Sequence, residues 1–66
     1  NLYSYQLWSN LLMWNSVSKI LTPQQEKYIQ DAMLEIKYEK HLVLNKEKKV
    51  KELFIKAVRN GYPYRG

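Results

Sequence analysis

Apolar positions recur at helical spacing through three stretches of the chain, and turn-forming residues separate them. In the first, roughly residues 4–18, Leu7, Leu11, Trp14 and Ser18 share one stripe at about 100° per residue, and Tyr5, Trp8 and Leu12 share another less than half a turn away. Met13 and Val17 widen the apolar surface. A helix apolar on so many sides is normally buried on several of them. The second stretch opens on Thr22, Pro23 and Gln25: an N-cap, a first-turn proline and the third-position Gln of a capping box. Gln25, Ile29, Ala32, Met33 and Ile36 then line one face of a helix over 23–40, while Leu34 and Tyr38 form an i, i+4 pair on the face that should be exposed.

His41 to Leu44 reads as a short apolar connector, and Asn45 as the N-cap of a third helix over 46–59. Val50, Leu53, Phe54, Ala57 and Val58 make its core stripe. Asn60-Gly61 is a stop signal, because glycine takes the left-handed conformation that ends helices. Arg59 sits in the last turn, where the helix dipole favours a cation. The tail over 62–66 should be extended, since Pro63 fixes its own φ and biases Tyr62 toward extended geometry, with Tyr62 able to fold back on the core. The expectation is an all-α fold, a small three-helix bundle that can be a helix-turn-helix variant.

Charge divides this bundle. The eleven basic and six acidic residues all fall between Lys19 and Arg65, so the first helix carries none. The net charge is +5 and the pI about 9.6, which favours anionic partners: nucleic acid, acidic protein or a membrane surface. Sixty-six residues allow one domain, burying only about 60% of the surface its unfolded chain exposes. The chain opens on Asn rather than Met and is expected to be part of a larger protein or assembly. With no cysteine there is no disulfide framework or thiolate metal site, which suits a reducing, cytoplasmic setting. No run of about 20 apolar residues predicts a membrane span. The opening segment lacks the basic leader of a signal peptide, and Ser4, Gln6, Ser9, Asn10, Asn15 and Ser16 interrupt its apolar run.

Two sets of residues carry candidate chemistry. On the third helix, Lys48, Lys49, Lys56 and Arg59 lie opposite Val50 and Ala57, with Lys46 and Lys51 near the edges. Together with Arg65 in the tail, they could contact phosphates. The competing reading is a solvated face laced with ion pairs, since Glu52 stands i, i+4 from both Lys48 and Lys56. The tail's tyrosines could add stacking to basic contacts, as in single-strand binders, or simply pack on the bundle. The second set is Trp8, Trp14, Leu34 and Tyr38. These would dock the uncharged first helix on another chain or domain, tryptophan being a favoured interface residue. In a small bundle at least one tryptophan should serve the core.

Nothing points to catalysis. His41 is the one histidine, the serines lack a nucleophile-elbow context, and no paired carboxylates or glycine-rich phosphate loop occur. No cofactor, metal or small-molecule substrate is implied. The stretch Leu21-Thr22-Pro23-Gln24-Gln25-Glu26-Lys27-Tyr28-Ile29 resembles the opening of the helix-turn-helix domain of phage small terminase subunits, which often begins Leu-Thr-Pro and continues Gln-Glu-Lys and an aromatic. The likeness covers nine residues, and the Lys-rich segment from Lys46 departs from that family's pattern. Bulk charge puts a nucleic-acid-contacting module first and a protein-docking module second.

Overall fold

The computed structural model describes residues 3–64 and contains three helices: α1 (Tyr5–Ser18), α2 (Pro23–Glu39) and α3 (Leu44–Arg59). The expected all-α bundle is what forms, and its helix ends follow from local chemistry. Ser4 caps α1 by accepting the Leu7 N–H at 3.3 Å. The capping box of α2 is complete: Thr22 Oγ1 accepts the Gln25 N–H at 3.1 Å, and Gln25 Oε1 accepts the Thr22 N–H at 2.9 Å. Both α1 and α2 end on a lysine in the left-handed region, Lys19 (φ 55°) and Lys40 (φ 56°), whose N–H groups return to the Asn15 and Glu35 carbonyls at 2.9 Å.

The third helix stops as expected. Gly61 takes φ +107°; its N–H reaches the Val58 carbonyl at 3.2 Å, and the Tyr62 N–H reaches the Ala57 carbonyl at 3.0 Å. This pair of bonds is a Schellman motif. The start of α3 differs from expectation. Asn45 is not its N-cap; the helix opens two residues earlier than predicted, with Val43 at the cap position. The physical reason is Leu42. Only 2% exposed, it pins the connector into the core, so the chain must turn immediately after it. The Glu47 N–H then bonds the Val43 carbonyl at 2.9 Å, and Asn45 lies exposed in the first turn.

The core joins Trp8 and Leu11 of α1, Leu21 of the first connector, Ile29, Ala32, Met33 and Ile36 of α2, Leu42, and Val50, Leu53 and Ala57 of α3. Val58, expected in the core stripe, is on the exposed side. An edge-to-face aromatic cluster ties the tail to the helices, with Phe54 against Trp8 (5.7 Å between ring centres) and Tyr62 against Trp14 (5.3 Å) and Phe54 (5.9 Å). The one buried polar residue among those described is Asn15. Its Oδ1 accepts the Leu21 N–H at 2.7 Å, and its Nδ2 donates to the Leu21 carbonyl at 3.1 Å and to Glu26 Oε2 at 2.6 Å. One amide thus holds the end of α1, the connector and the first turn of α2. The bundle buries α1 on one side only: Met13 is 67% exposed and Val17 84%.

Candidate nucleic-acid interface

The amphipathic spacing of α3 that buries Val50, Leu53 and Ala57 necessarily turns Lys48, Glu52 and Arg59 outward, with Lys49 and Lys56 on the side that meets α2. The expected phosphate contacts fare differently. Lys46 is turned back into the bundle, where its ammonium forms an ion pair with Glu35 of α2 and lies 5.9 Å from the centre of the Tyr28 ring. The Glu35 carboxylate holds the Lys46 ammonium above its ordinary pKa. Lys56 is half-buried and donates to Gln25 Oε1 at 3.1 Å, so it is positioned by a neutral partner and keeps its charge uncompensated. Lys48, Lys49 and Arg59 are exposed and make no ion pair among the described residues. Arg65 lies outside the described residues.

The carboxylates are arranged in the same uneven way. Glu47 accepts the Tyr3 hydroxyl at 2.7 Å and pairs with Lys51 at 3.3 Å. These partners, Tyr3 first, lower the pKa of Glu47, and the same bond raises that of the Tyr3 hydroxyl. The ladder Lys48–Glu52–Lys56 permitted by the i, i+4 spacing does not form: Glu52 is exposed and makes no ion pair among the described residues. Two open hollows flank Lys56. One, of about 430 Å³, is lined by Glu52, Ile55, Lys56, Arg59 and Asn60; the other, of about 450 Å³, by Thr22, Gln24, Gln25, Tyr28, Lys49 and Leu53. The Lys56–Gln25 hydrogen bond links a residue of the first to a residue of the second.

The expected docking residues separate. Trp8 is 0% exposed and belongs wholly to the core, so it offers nothing to a partner in this fold. Trp14 is half-buried under Tyr62. Leu34 (52% exposed) and Tyr38 (72%) do lie outward. Lys37 sits 5.5 Å from the Tyr5 ring centre and 5.4 Å from that of Tyr38, bridging α1 and α2 at this edge. In the tail, Tyr62 packs inward, burial raising the pKa of its hydroxyl, and Tyr64 meets Phe54 at 4.8 Å. His41 is exposed, and no group of three or more metal-ligating side chains occurs among the described residues. No helix among them is long and apolar enough to cross a membrane.

Sequence reasoning found the capping role of Gln25 but not its partnership with Lys56, nor the roles of Asn15 and Glu35. Asn15 left a signal, being an uncharged amide on the core side of α1. The partnerships of Gln25 with Lys56 and of Glu35 with Lys46 span connectors and leave no local mark.

Fold and surface together define a three-helix bundle with one basic outer side and one uncharged helix. Comparison with protein-family models, with curated proteins and with solved structures gave no match.

Proposed function

We propose that the chain is a non-enzymatic helical module that contacts nucleic acid through the phosphate backbone, using Lys48, Lys49, Lys56 and Arg59, with Arg65 of the tail as a further contact. One observation carries this reading. Glu35 and Glu47 are committed to Lys46 and Lys51, and Lys48, Lys49 and Arg59 have no carboxylate partner among the described residues, not even Glu52, which shares the outer side of α3 with Lys48 and Arg59. An exposed, unpaired cation is what a phosphate needs, and each such contact releases a counterion. In α2 and α3, joined by a short connector, the helix-turn-helix order is available, with α3 presenting its basic side.

The test is fluorescence anisotropy on duplex and single-stranded DNA over a salt series. About four phosphate contacts give a log–log slope near −3 to −4 on duplex. Glu52→Gln should tighten binding about two- to fivefold by removing the outward carboxylate of α3, and Lys49→Ala should reduce the slope by about one. No binding at about 50 mM salt, or a slope near zero, overturns the reading.

Exposed Leu34 and Tyr38 favour the second reading, docking on another protein. It now rests on those two residues and the outer side of α1, not on Trp8.

A further inference from the structure

Among the described helices, α1 alone has an outward face without charge. Gln6, Asn10, Met13 and Val17 stand at spacings of four, three and four, the d-a-d-a register of a two-stranded helical pair. All four are exposed, with Met13 at 67% and Val17 at 84%, and Ser9 and Ser16 flank them. Gln6 Nε2 already donates to Asn10 Oδ1 at 2.8 Å, so the two amides form one polar step on the stripe. We propose that this face pairs with the same face of a second copy, α1 against α1 in parallel register.

Charge selects the occupant. The chain carries +5, and its other outward sides bear Lys27, Lys37 and Lys40 or Lys48, Lys49 and Arg59. Asp31 and Glu39 accompany the first set and Glu52 the second, so each side stays net positive and two copies meeting there would oppose an excess of like charge, whereas the α1 face brings no charge at all. The stripe is also complementary to itself. In parallel register Asn10 meets Asn10 of the other copy, amide to amide, while Met13 and Val17 meet their equivalents. An antiparallel pair would set Asn10 against Met13 and leave a buried amide unmatched. A polar residue at an a position is a known device for fixing register at some cost in affinity.

Area sets the strength. An ordinary specific interface takes about 800 Å² from each partner, roughly one-sixth of the 4746 Å² this protein exposes. One face of a 14-residue helix offers less. The dimer therefore dissociates in the range of about 10–1000 μM.

Sedimentation equilibrium of the 66-residue chain from micromolar to millimolar concentration tests this. The expected result is a monomer–dimer equilibrium whose dissociation constant rises at least about tenfold in the double variant Met13→Glu, Val17→Glu. Those substitutions lower the net charge, which by itself would ease non-specific association, so a loss of dimer traces to the face itself. Both positions are exposed, and an unchanged circular-dichroism melt verifies the fold. The chain has no cysteine. Asn10→Cys should therefore oxidise to a covalent dimer faster than Lys27→Cys on the outward side of α2. A chain that stays monomeric at about 1 mM, a dimer indifferent to the double variant, or equal cross-linking rates would each overturn the proposal.

Discussion

At Asn15 the fold depends on a single amide. A buried side chain with three hydrogen bonds is replaced, in Asn15→Ala, by a methyl group that leaves the Leu21 N–H and carbonyl without their side-chain partner. The expected loss is about 2–4 kcal/mol, measured as a shift in the urea midpoint without change in its slope. A loss under about 0.5 kcal/mol would mean water satisfies those groups instead. The sequence half-disclosed this residue. Its place on the inner side of α1 was readable, but polarity marks interruption and partnership alike until the connector and Glu26 are seen to close on it. Lys46 teaches the converse: its charge was legible, and its capture by Glu35 was not, because that pairing is set by how α2 and α3 lie together.

The three helices show where local signals suffice. Thr22, Pro23 and Gln25 specify the start of α2 by chemistry confined to four residues, and Asn60-Gly61 specifies the end of α3 in the same way. The start of α3 escaped because a tertiary anchor, Leu42, outweighed the capping preference of Asn45. That leaves α3 with Val43 at its cap, a side chain that has no group to satisfy an orphan N–H. Val43 is 56% exposed, so replacing it removes little buried surface. Val43→Asp should stabilise the bundle by about 1 kcal/mol, read as an increase in melting temperature. No gain would indicate that solvent already serves those amides. For the site, the outward phase of Lys48 and Arg59 followed from periodicity alone, whereas Lys49 and Lys56, expected on that same face, lie on the side that meets α2. The fate of Glu52, unpaired where i, i+4 spacing suggested a ladder, did not follow from it.

For the whole molecule, the ion pairs define a pH window. Glu35 raises the pKa of the Lys46 ammonium, so this contribution is complete at neutral pH, below the ordinary lysine value of about 10.4, and is lost as pH rises through the folded value. The Tyr3 hydroxyl, raised by Glu47, acts in the same direction. Glu47, lowered by Tyr3 and then Lys51, contributes above the ordinary carboxylate value of about 4.3 and is lost as pH falls through its lower folded value. Melting temperature should therefore be level between about pH 6 and 9 and fall on both sides. Glu35→Gln should flatten the alkaline fall; an unchanged alkaline limb would show that the pair contributes nothing. The Schellman turn at Gly61 has a consequence for where this fold is taken to end. It aims Tyr62 at Trp14 and Phe54, so a fragment cut at Asn60 would keep all three helices and still lose part of its roof. Helix content is a poor guide to the boundary of this domain; the last residue it needs lies beyond the last helix.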